Sequence, residues 1–168
     1  TDTMDANKTH LSGPRGYTCG TNSATAGYIC GGQAGPSPTP QVSICDKITN
    51  STDSLERLPG CDMINGSYMQ MAACGNEEYG YICGGGWPRQ TSMAKLDYYT
   101  ETNAKTPTAF LTQERTYFCG TSNASEGYWY AGYSYSAPVG GFTTSAVEKT
   151  TFATDTTASN PSPMSYTA

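Results

Sequence analysis

Apolar and polar positions along the chain alternate in short runs. GYTCG, SICDKIT, MAACG, EYGYIC, SMAKLDYY, TYFCG, EGYWY and SAVEKTTF are rich in β-branched and aromatic residues, the composition of strands. Clusters of Gly, Pro, Ser, Asn and Asp stand between them, and such clusters break the chain into turns. No stretch carries a helical period with caps. The pattern predicts an all-β protein.

One phrase recurs. GYICGG spans residues 27–32 and again 80–85, and GYWYAG spans 127–132, so the Gly-Tyr pairs stand 53 and 47 residues apart. Ahead of each phrase is a run ending in Cys-Gly: YTCG, MAACG and YFCG. After each comes a loop rich in Gly, Pro and Ser: QAGPSPTP, GWPRQTS and YSYSAPVGG. A third run then carries Lys47, Lys95 or Lys149, and a weaker fourth segment follows a polar turn. A period near 50 predicts an array of like units. Residues 1–14 match the last strand of a preceding unit. Units occupy 15–67, 68–114 and 115–168, the last including the start of a further one. The chain is expected to be a segment of a longer array.

The repeat decides what the glycines do. A phosphate loop needs a following helix whose N-terminus holds the anion, whereas here a loop and another strand follow. Glycines at a strand end let the backbone turn with positive φ and let a neighbouring chain approach.

Four short strands, this period and a Gly-Gly doublet ending the second strand resemble the kelch-type β-propeller repeat. Closer still in style are the kelch-like arrays of marine bacteriophage virion and tail-fibre proteins: GYICGGG, SAVEKTTF, SMAKLDYY and MAACGN look like variants of their GYFGGG-type phrases, third strands and first strands. The resemblance implies an all-β fold of kelch-like β-propeller blades, three four-stranded antiparallel repeats within a larger propeller or array. It also implies a virion or extracellular location and a role in assembly and in host or glycan adhesion. The fourth-strand Trp of cellular kelch proteins is missing, with Leu58, Phe110 and Met164 near its place. An extracellular cell-surface or filament repeat protein of a microbe is the alternative. A second alternative is the non-catalytic part of a larger galactose-oxidase-like enzyme.

Three blades leave two open flanks. At about 200 Å² of apolar surface each, roughly 10 kcal/mol of burial is forgone at ~25 cal/mol/Å². That rivals the roughly 5–15 kcal/mol stability of a whole domain. The expected partners are therefore other blades or copies of the chain itself, to which the resemblance adds other virion proteins and a surface glycan or host receptor.

Composition narrows the chemistry. Net charge is -5 and the nine Lys and Arg are dispersed, so no basic footprint marks a nucleic-acid partner. No apolar run is long enough for a membrane-spanning helix. His10 is the sole histidine and no CxxC occurs, which leaves no catalytic triad, zinc site or copper ligand set to expect. No enzyme activity and no cofactor are expected. The seven cysteines have two readings. They are small buried residues, or Cys19 bridges Cys30 and Cys74 bridges Cys83 across the first hairpin of a unit. Tyr28, Tyr81, Tyr98, Tyr99 and Tyr128 are expected inside strands, packing between blades. Trp87, Tyr133 and Tyr135 fall in the loops after the glycine clusters, where an aromatic is either a sugar- or protein-binding contact or a cap on the propeller face. Sequons stand at Asn7, Asn50, Asn65 and Asn123.

Overall fold

A computed structural model describes residues 10–35, 40–64, 69–86, 89–136 and 140–160. Three four-stranded antiparallel sheets follow one another along the chain. The first holds β1 (Cys19–Asn22), β2 (Ala26–Cys30), β3 (Cys45–Thr49) and β4 (Ser54–Arg57). The second holds β5 (Ala72–Gly75), β6 (Tyr79–Cys83), β7 (Ser92–Asp97) and β8 (Thr102–Phe110). The third begins with β9 (Cys119–Ser122) and β10 (Glu126–Tyr130). A separate hairpin, β11 (Tyr133–Ser136) and β12 (Gly140–Thr143), then intervenes before β13 (Val147–Thr151) and β14 (Thr156–Ser159) complete the sheet. Each sheet is a meander, its strands side by side in chain order. The sheets do not close into a ring among the described residues.

Register aligns the three units residue by residue. The first hairpin closes on Asn22–Gly27, Gly75–Gly80 and Ser122–Gly127, and the third strand sets Lys47 opposite Tyr28, Lys95 opposite Tyr81 and Lys149 opposite Tyr128. The turn before the fourth strand is equally long in all three, and its last residue takes positive φ each time: Asp53 at 51°, Glu101 at 53° and Asp155 at 51°.

The core lies between the sheets. One buried cluster joins Tyr28, Cys30 and Cys45 of the first unit to Ile82, Ala94, Leu96 and Tyr98 of the second. Another joins Tyr81, Cys83 and Met93 of the second to Phe118, Trp129 and Phe152 of the third. The rings of Tyr28 and Tyr98 stack at 4.9 Å, and those of Tyr81 and Phe152 at 4.6 Å. Alternation along each strand thus sends one set of residues forward to the next unit and the other back to the previous one.

The repeated Gly-Tyr pair follows from this. Its tyrosine faces forward. Its glycine makes room behind: a Cβ at Gly80 would stand 2.5 Å from Thr21 Cγ2, and one at Gly127 would stand 2.7 Å from Cys74 Sγ. The glycine doublets turn the chain as expected, and Ala131 takes φ 55° where the other units have glycine.

Several sequence expectations are corrected. Tyr98 and Tyr99 belong to the turn after β7, and Tyr99 is fully open to solvent. Phe110 is exposed while the adjacent Leu111 is buried. Cys74 faces Tyr81, and Cys83 faces Ala72. The hairpin loops are all of one length, so Cys74 occupies the place of Thr21 and Thr121 rather than that of Cys19. Met164 lies outside the described residues.

Candidate functional site

The residue two places before each first strand sits in left-handed backbone: Tyr17 at φ 57°, Gln70 at 59° and Tyr117 at 55°. A bulky residue is uncommon there. The backbone is held by bonds between units, Gln70 N–H to Tyr17 C=O at 3.2 Å and Tyr117 N–H to Gln70 C=O at 3.3 Å. Three side chains therefore line one edge in a row. Tyr17 is 56% exposed and Tyr117 is 61% exposed. Their rings meet edge to face at 6.5 Å, and Gln70 Nε2 donates to the Tyr117 hydroxyl at 2.6 Å.

Two buried ion pairs anchor the ends of this row. Arg15 Nη2 meets Asp46 Oδ2 at 2.8 Å with both side chains out of solvent, and Arg115 pairs with Glu148 in the same way. Each carboxylate also accepts a backbone N–H, from Ser12 at 3.1 Å and from Thr112 at 2.6 Å. Arg115 Nη1 donates further to the Ala146 carbonyl at 3.2 Å, and Arg15 Nη2 to that of Ile29 at 3.2 Å. Burial pushes the Asp46 carboxyl up, but the hydrogen bonds from Ser12 and Arg15 outweigh it and hold the group below its ordinary value of 3.8. In the middle unit Ala94 stands where these carboxylates stand.

Of the aromatic residues expected to bind, Tyr133 emerges on this same edge. Its N–H donates to Thr116 C=O at 2.8 Å and its C=O accepts from Thr116 N–H at 3.0 Å. Its ring lies over Gly141, where any Cβ would collide with it. Tyr135 lies two residues on in β11. Trp87 falls outside the described residues. The neighbouring Gly86 N–H bonds to the Met69 carbonyl at 3.1 Å, so the second unit's loop leaves from this edge too. The structure thus places Tyr133 near the Tyr17–Gln70–Tyr117 row, which sequence reasoning missed. Its signal was a Tyr, Gln, Tyr set at matching repeat positions.

All seven cysteines are free thiols, and Cys119 is the exposed one. Cys19 does face Cys30 across β1 and β2. A closer contact, Cys30 Sγ to Cys45 Sγ at 3.2 Å, joins β2 to β3 instead. Burial pushes the Cys19 and Cys74 thiols up to about 12. Among the described residues no three His, Cys, Asp or Glu converge as a metal site, and no helix is long and apolar enough to cross a membrane. Asn50 and Asn123 are exposed in turns; Asn7 and Asn65 lie outside the described residues.

Matched against known proteins, the chain fits no family model and no curated sequence.

Proposed function

We propose that the chain is a structural and binding module built of kelch-like propeller blades, part of a virion or fibre protein, that assembles with like units and holds a host-surface glycan. The observation that carries the binding role is the Tyr17–Gln70–Tyr117 row, its two tyrosines exposed, fixed on strained backbone and backed by buried ion pairs. Strain of this kind persists where the surroundings over-determine it and clusters at ligand-contacting surfaces. Tyrosine faces suit the apolar face of a sugar ring, and the Gln70 amide suits its hydroxyls. The assembly role is supported by a register written three times with matched contacts at each joint.

Tyr17→Asn with Tyr117→Asn removes both rings and keeps a residue that tolerates positive φ. Glycan-array or host-cell binding is expected to fall about tenfold at unchanged melting temperature. Unchanged binding would remove the glycan role. Mass spectrometry of purified particles tests the location: the chain should be present at structural copy number, and its presence on a cell surface alone would favour the microbial surface protein.

A further inference from the structure

The contacts between units follow a rule. Lys47 of the first unit pairs with Glu101 of the second, and Lys95 of the second pairs with Asp155 of the third at 3.0 Å. In both cases the third-strand lysine reaches forward to the acidic residue that ends the next unit's turn in left-handed backbone. Two further contacts accompany it. The forward tyrosine stacks on the first residue of that turn, Tyr28 on Tyr98 and Tyr81 on Phe152. The forward first-strand residue fills the space above the next Gly-Tyr glycine, Thr21 on Gly80 and Cys74 on Gly127.

The third unit presents the same forward set with no further sheet against it among the described residues. Lys149 turns back to Glu126 of its own sheet at 2.7 Å, and Tyr128 donates to the same carboxylate at 2.6 Å. Thr121 and Cys119 are exposed, whereas their counterparts Thr21, Cys19, Cys74 and Ala72 are buried. At the other end, the first unit presents the matching backward set. Asp53 stands where Glu101 and Asp155 stand, Asn50 where Tyr98 and Phe152 stand, and Gly27 where Gly80 and Gly127 stand. Ile29 and Ile48 remain partly open on that face, while their counterparts Ile82, Leu96 and Trp129 are buried.

We infer that the forward face of the third unit docks the backward face of the first unit of a second copy of this chain, with Lys149 and Asp53 of that copy each exchanging a contact within its own chain for the other. The charges are complementary at the positions where the two internal joints carry theirs. The contact is head to tail, so two copies that dock reciprocally make a ring of six units, within the roughly 4–8 blades common in propellers. Asn50 is the one mismatch, an amide where both internal joints place an aromatic ring. The joint between copies is therefore weaker than those inside the chain. This inference rests on the assembly role proposed above. It is read in dilute solution with neither particle nor glycan present, so its failure leaves the tests of location and adhesion untouched.

Sedimentation equilibrium of the 168-residue chain, across a wide concentration range, is the test. A species of twice the chain mass is expected. Lys149→Glu should weaken it on the order of tenfold or more, and Lys149→Glu with Asp53→Lys should recover it. Glu101 shows that a long side chain is accommodated at this φ. Asn50→Phe supplies the missing ring and should tighten the dimer about two- to tenfold, a gain that a merely structural role would not produce. Iodoacetamide labelling of Cys119 should slow as the dimer forms. A monomer at all concentrations overturns the inference. So does an oligomer indifferent to Lys149 and Asn50, which would place the contact elsewhere.

Discussion

Replacing Arg15 by methionine would leave the Asp46 carboxylate buried beside an apolar chain. Loss of one partner from a buried pair costs about 3–5 kcal/mol, whereas replacing both by apolar groups is often neutral. Urea denaturation should therefore show Arg15→Met strongly destabilised and Arg15→Met with Asp46→Leu near the parent. The sign of the pH effect follows from the depressed carboxyl. Its contribution is complete above the ordinary value of 3.8 and is lost as pH falls below it. The double variant should accordingly lose less stability between pH 7 and pH 3 than the parent does, read from urea midpoints at each pH. Thiol chemistry is sorted by burial in the same way. Cys119 should alkylate in dilute native protein, while Cys19 and Cys74, held near 12 by burial, should react only after unfolding.

Trp129 is the largest fully buried side chain among the described residues; it is carried on β10 and its Nε1 donates to Thr150 Oγ1 at 2.8 Å. Trp129→Ala should cost about 3–5 kcal/mol in a urea melt. Gly84→Ala should also destabilise, because φ is +67° and the new Cβ would stand 2.6 Å from the Phe118 ring. Strand order, the glycine turns and the three aligned lysines were legible in the sequence because each depends on local chemistry repeated at one spacing. The register of β5 was not. The Cys-Gly pairs suggest aligning MAACG with YTCG, but hairpin length fixes the pairing, and the true alignment is displaced by two residues. A two-residue slip keeps a side chain on its face, so the Cys-Gly alignment sets Cys74 on the right face but opposite Cys83 instead of Tyr81. The β11–β12 hairpin is hidden in the sequence because Gly, Pro and Ser together make up most of YSYSAPVGG, although Tyr and Ser alternate there with a strand's period. The Tyr17–Gln70–Tyr117 row was hidden because nothing in a tyrosine's chemistry announces positive φ; bonds from neighbouring units impose it.

With its core between sheets, the molecule behaves as a row of units each stabilised by its neighbours. In such rows stability is a sum of unit terms and interface terms. The Trp129→Ala change weakens only the joint between the second and third units. Hydrogen exchange should then lose protection in β13 and β14 while β2 and β3 keep theirs; uniform loss across all three sheets would mean the molecule opens as one body.

Since every joint uses the same forward tyrosine and lysine, the joints are interchangeable parts. Excising residues 68–114 would bring Tyr28 against Phe152 and Lys47 against Asp155, a legal junction made from two existing halves. Recombination between copies of the gene segment could therefore lengthen or shorten the protein by whole units without inventing a new interface, leaving copy number free to drift while the grammar of the seam stays constant.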